Sequence, residues 1–112
     1  MDMKQFDIMW ASLPEPIGRR PVLLLTRTAA YAYLNKVIIA EITSTARSIP
    51  QEVPVGKPEG LAHGSVVNLD NIHVIPKSVL HEQLGAVSTT RQREIKRALG
   101  HALDWHELKI IL

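Results

Sequence analysis

The chain reads as an α+β protein, mainly β: a small, strongly bent sheet or barrel of short strands with one terminal helix. Three observations predict this. Short apolar segments punctuated by proline and glycine fill the first two-thirds of the chain. The last third switches to helical spacing. A length of 112 residues, 46% of them hydrophobic, supplies one core and no more. No repeat, low-complexity tract or linker divides it, so a single domain over 1–112 is expected.

Taken in order, Phe6, Ile8 and Trp10 alternate with Asp7 and Met9, the period-two pattern of a half-buried strand. Pro14, Pro16 and Gly18 break that pattern into a loop. Residues 20–26 form a second strand, apolar through its middle and so buried on both faces. Pro21 opens this strand and biases Arg20 toward an extended backbone. Residues 28–34 suit either a turn or two of helix or an ordered loop. Residues 36–42 are a third strand rich in Val and Ile, running into Thr43-Ser44-Thr45. Residues 52–55 form a short strand that Pro54 confines to an edge. After a loop over 56–64 come two strand segments, 65–69 and 71–75, around Asp70, and Pro76 stops the run. A turn at 77–80 and a connecting segment through Gly85 lead to a helix starting near Thr89, where Thr89 and Gln92 fit a capping box. Ile95, Ala98, Leu99, Ala102 and Leu103 are its apolar stripe, with His101 and His106 on the same helix. Gly100 costs about 1 kcal/mol relative to alanine inside a helix, which implies close packing there.

Composition removes several function classes. No cysteine means no disulfide framework, thiolate nucleophile or thiolate metal site, and permits a reducing cytoplasm. The longest apolar run, 29–34, is too short to span a bilayer, so no membrane role is expected. The stretch from Met1 to Asp7 has no apolar h-region and predicts no secretory signal. The net charge of +2 is too small to announce nucleic acid. The basic excess sits before Pro50, chiefly as arginine, which suits bidentate phosphate contacts. The histidines lack ligand spacing backed by a third ligand, so no metal site is expected and they read as surface or partly packed imidazoles. Neither a phosphate-binding glycine loop nor a catalytic triad is present.

Two polar strand ends stand out. Arg20 precedes the second strand and Thr43 follows the third. If those strands are antiparallel neighbours, a guanidinium and a hydroxyl meet, with Arg19, Ser44, Thr45 and Arg47 nearby. A phosphodiester fits such a place: forked donors for phosphoryl oxygens and a hydroxyl for the attacking or leaving oxygen. Spacing alone equally describes two solvated strand termini.

Four ordered blocks tilt that balance: Arg20-Pro21-Val22-Leu23-Leu24-Leu25-Thr26, Val37-Ile38-Ile39-Ala40-Glu41-Ile42-Thr43-Ser44-Thr45, Ser65-Val66-Val67-Asn68-Leu69-Asp70-Asn71-Ile72, and Leu84-Gly85-Ala86-Val87-Ser88. Together they resemble the MazF/PemK toxin endoribonucleases of type II toxin–antitoxin systems. The resemblance implies a small SH3-like β-barrel with a C-terminal helix, a homodimer, and cleavage of single-stranded RNA without a metal or other cofactor. It also implies neutralisation by a cognate antitoxin protein in the cytoplasm. By position the family's catalytic arginine falls on Arg20 and its catalytic threonine on Thr43. Glu15, Gly18, Arg19, Ser44, Thr45 and Arg47 are the candidate substrate contacts. The loop before Arg20 is shorter than in many members, so Glu15 only approximates the glutamate often found there. Asn71 and His73 replace the family's common Gln and Arg, changes that bear on which RNA sequence is read. Trp10, Tyr31, Tyr33 and Phe6 are aromatic candidates for base stacking or core, and Trp105 for packing on the barrel or a dimer mate. Two other readings stay open: a CcdB-like toxin that binds gyrase, and a barrel that binds nucleic acid without cutting it.

Overall fold

The computed structural model describes residues 2–112; Met1, which opens the stretch read for a secretory signal, lies outside them. Strands β1 (Asp7–Ser12), β2 (Arg19–Leu24), β3 (Lys36–Thr43), β4 (Glu52–Val55), β5 (Ser65–Pro76) and β6 (Leu80–Ala86) form one antiparallel sheet. Their order is β4-β5-β3-β2-β1-β6. Helix α1 (Thr89–Leu103) and a short α2 (His106–Lys109) follow. The expected α+β class and the edge position of β4 hold.

The sheet stays open, because β4 and β6 are its two edges and do not pair. Loop backbone bridges the gap instead. A Cβ on Gly60 would stand 2.1 Å from the carbonyl oxygen of Leu84, and one on Gly85 would stand 2.2 Å from that of Glu59. Gly60 also has φ +94°, so the turn that follows β4 rests on β6 with no side chain between them.

Apolar side chains cover both faces of the sheet. On one, Phe6, Ile8, Leu23, Ala40, Ile42 and Val67 pack with Ile95 and Ala98 of α1. On the other, Met9, Ala11, Val22, Leu24, Ile39 and Ile75 pack with Leu13 and Tyr31. This corrects the half-buried reading of β1. The 3₁₀ turn Thr28–Ala32, which settles the open segment 28–34, supplies Tyr31 to cover the second face, and Met9 is as buried as Ile8.

Other expectations move for local reasons. The segment through Gly85 is strand β6, paired with β1 through a shifted register; its Leu-His-Glu-Gln-Leu-Gly-Ala run is half exposed and carries no strong β pattern. The two segments around Asp70 are one strand, β5. Its pairing with β3 jumps from Ala40↔Ile72 to Glu41↔Asn68, leaving residues 69–71 as a bulge. Ser88, not Thr89, caps α1, accepting from the Arg91 N–H at 3.3 Å. His106 belongs to α2, and Leu103 at the end of the stripe is exposed. Gly100 is packed as expected: a Cβ there would meet the Lys109 nitrogen at 2.7 Å, since α2 folds back against it.

Candidate active-site cleft

Strand pairing brings the two strand ends together. β2 and β3 are antiparallel neighbours with Val22 opposite Glu41, and that register carried two residues further sets Arg20 across from Thr43. Because side chains alternate along a strand, Arg20 and Val22 share one face with Glu41 and Thr43. At this end of the sheet lies an open cleft of about 260 Å³, lined by Trp10, Arg19, Arg20, Pro21, Ile42, Thr43, Ser44, His63 and Ser65.

Thr43 is held for donation. Its Oγ1 accepts the Thr45 N–H at 3.2 Å, which occupies a lone pair and leaves the hydroxyl proton for a ligand. Arg20 is 31% exposed, and its Nη1 lies 3.5 Å from Oε1 of Glu41. Arg19 points to the other side, its guanidinium 4.9 Å above the Trp10 ring and paired with Glu82. The Glu82 carboxyl is held below its ordinary value, first by a hydrogen bond from its own backbone and then by the charge of Arg19.

Of the expected contacts, Arg19, Arg20, Thr43 and Ser44 line the cleft. Glu15, Gly18, Thr45 and Arg47 do not. The Glu15 carboxylate sits beside Gly18 in the β1–β2 loop, and the Arg47 backbone N–H is tied to Glu52 at 2.8 Å. Among the aromatics, Phe6 and Tyr31 are buried, Tyr33 is exposed, and Trp10 forms a cleft wall.

Three residues at or beside this place escaped the sequence reading. His63 arrives with the loop after β4 and Ser65 as the first residue of β5, and His63 Nδ1 donates to the Gly64 carbonyl at 3.2 Å. Glu41 is the third, and its signal was visible: one carboxylate inside an otherwise apolar strand. A second cavity of about 280 Å³ adjoins the cleft through Trp10, Pro21, His63 and Ser65, with Leu61, Ala62 and Leu84 adding apolar wall. Among the described residues, no three metal-binding side chains converge anywhere.

An antiparallel sheet with a terminal helix, and an arginine–threonine cleft at one end beside an apolar cavity, define a small α+β protein. The chain belongs to the PemK-like, MazF-like toxins of type II toxin–antitoxin systems, whose family model matches residues 4–103. It is similar to endoribonuclease MazF3 of Mycobacterium tuberculosis, 41% identical over 88 residues that cover 77% of this chain and 85% of the relative. The solved structure of Mycobacterium tuberculosis toxin MazF-mt6 superposes with a TM-score of 0.82 at 38% identity, covering 88% of this chain and 96% of that one. An endoribonuclease in complex with its cognate antitoxin, from a mycobacterial species, matches with a TM-score of 0.80 at 27% identity, covering 92% and 96%.

Proposed function

We propose that this chain is a toxin endoribonuclease that cleaves single-stranded RNA without a metal ion, with Arg20 and Thr43 as its catalytic residues. The observation that carries the reading is the β2–β3 register, which sets these two residues opposite each other in one cleft. Membership of the toxin family and the endoribonuclease relatives support it.

The chemistry needs three things. The ribose 2′-hydroxyl loses a proton as its oxygen attacks the adjacent phosphorus. The phosphorane carries added negative charge, and the departing 5′-oxygen takes up a proton. Products are a 2′,3′-cyclic phosphate and a 5′-hydroxyl. Arg20 stabilises the phosphorane, since its charge persists at every physiological pH. Thr43 donates to a phosphoryl or leaving oxygen. For the attacking proton, the His63 ring lies in the cleft, whereas Glu15 lies outside it. Trp10 and the adjoining apolar cavity suit an unstacked base next to the scissile phosphate.

The chain acts as one domain over 1–112 and as a homodimer. Exposed Ile38 and Val74, paired across β3 and β5, and exposed Trp105 and Ile110 are apolar surfaces for a second copy. Its regulator is an antitoxin that lays an otherwise disordered acidic segment along the arginine-bearing end of the sheet. Its place of action is the cytoplasm, where RNA and antitoxin meet; among the described residues no helix is long and apolar enough to cross a membrane.

The test is incubation of purified protein with a mixed RNA pool in EDTA, followed by mapping of new ends. Recurrent cleavage with 5′-hydroxyl ends is the expected result. RNA that is bound but intact, or inhibition of gyrase with RNA untouched, refutes the nuclease reading.

A further inference from the structure

Glu41 is the most unusual side chain near the cleft. It stands two residues before the end of β3 with its side chain only 9% exposed, on the face that also buries Val22 and Ile39. Its two oxygens are used separately. Oε1 lies 3.5 Å from Nη1 of Arg20, and Oε2 pairs with Nε2 of His73. The three residues sit on adjacent strands, Arg20 on β2, Glu41 on β3 and His73 on β5, where His73 lies opposite Ile39. By strand alternation all three share one face with Thr43.

The fold does not require this arrangement. A buried carboxylate with its partners is commonly replaced by apolar residues at no loss of stability, and the neighbours on this face are apolar. The geometry instead restricts Arg20. A long side chain that is about a third exposed would sweep the cleft mouth unless something held it. The contact at Nη1 alone leaves Nη2 and the Nε–H free to meet two phosphoryl oxygens. His73 fixes the far oxygen of Glu41, so the near one stays aimed at Arg20.

We propose that Glu41 is the positioning residue of the cleft, orienting the Arg20 guanidinium toward the scissile phosphate, and that His73 holds Glu41 in that role. The proposal rests on the endoribonuclease reading above. Glu41 touches no reacting atom and acts through Arg20.

The experiment uses the full chain and the shortest RNA oligonucleotide that end mapping shows to be cut. Glu41→Gln keeps the shape and removes the charge. It lowers kcat by roughly 10- to 100-fold, the scale of a misaligned catalytic group, with KM changed less than about threefold. His73→Gln gives a smaller loss in the same parameter. In an Arg20→Ala background, adding Glu41→Gln produces no further loss, because the two act as one unit. A merely structural carboxylate would lower the melting temperature and leave the kcat of folded protein unchanged. Wild-type kcat in folded Glu41→Gln with Arg20→Ala impaired overturns this proposal and leaves the nuclease reading standing. If Glu41→Gln does not fold, wild-type kcat in His73→Gln overturns it. Wild-type activity in Arg20→Ala overturns both.

Discussion

Replacing Arg20 perturbs two quantities that the cleft geometry separates. Arg20→Ala removes a charged donor from the transition state, a loss of about 2.7–4 kcal/mol for one such group, or roughly 10²- to 10³-fold in turnover. It also strips one partner from Glu41, whose side chain is 9% exposed. Breaking a fully buried pair costs about 3–5 kcal/mol and an exposed one about 0–1. With Arg20 at 31% exposure this pair falls between, near 1–3 kcal/mol. At about 4 °C per kcal/mol for a domain of this size, the melting temperature drops by roughly 4–12 °C. Arg20→Lys restores the charge beside Glu41 and so most of the melting temperature, yet an ammonium cannot present the planar fork, and activity stays at least about 10-fold down. Single-turnover RNA cleavage and thermal unfolding by circular dichroism read the two effects on the same samples. Should the lysine variant recover rate and stability in parallel, or the alanine variant cut at the wild-type rate, the assigned role for the guanidinium is wrong.

Thr43→Ser keeps the hydroxyl and retains much of the cleavage rate, whereas Thr43→Val keeps the β-branched shape and loses most of it; equal rates in the two would remove Thr43 from the mechanism. Burial pushes the Tyr31 hydroxyl up to about 12, with neighbouring Thr26 offsetting part of that rise. The folded state therefore keeps a proton that the unfolded chain releases near pH 10, so this stabilisation is full below pH 10 and is lost as pH rises toward 12. Tyr31→Phe flattens that alkaline loss in pH-dependent unfolding, and an unchanged loss would show that Tyr31 is not its source. Gly100→Ala improves helix propensity by about 1 kcal/mol. Its Cβ nonetheless collides with the backbone of α2, so limited proteolysis releases the segment after Asp104 sooner than in the wild type. An unchanged digestion pattern would show that α2 is not held by that contact.

Much of this architecture is written in local pattern. The aliphatic runs of β2 and β3, the proline that marks β4 as an edge, and the helical stripe from Ile95 all follow from periodicity. Arg20 and Thr43 were legible because proline and the Thr-Ser-Thr run mark strand ends, and antiparallel pairing of neighbours does the rest. What escaped was non-local. β6 is an edge strand of mixed polarity, and only its pairing with β1 makes it a strand. Met9 is buried because a 3₁₀ turn twenty residues later covers its face. His63 enters the cleft through a loop whose path depends on the fold as a whole, and Ser65 through the pairing of β5 with β4. Glu41 was readable as an anomaly, a charge among Ile and Ala, but its partners lie one strand away on either side.

The backbone contact between Gly60 and Gly85 also anchors the loop that supplies one cleft residue, His63. The loop that delivers His63 is moored to β6 by backbone alone, where two side chains are missing. Its outer residues take no part in that contact and can change while the mooring stays fixed. A single methyl group added at Gly85, on the far edge of the sheet from β4, would meet the Glu59 carbonyl at 2.2 Å and force the loop and β6 apart. The shape of the cleft in this protein is thus exposed to alteration from a position that does not line it.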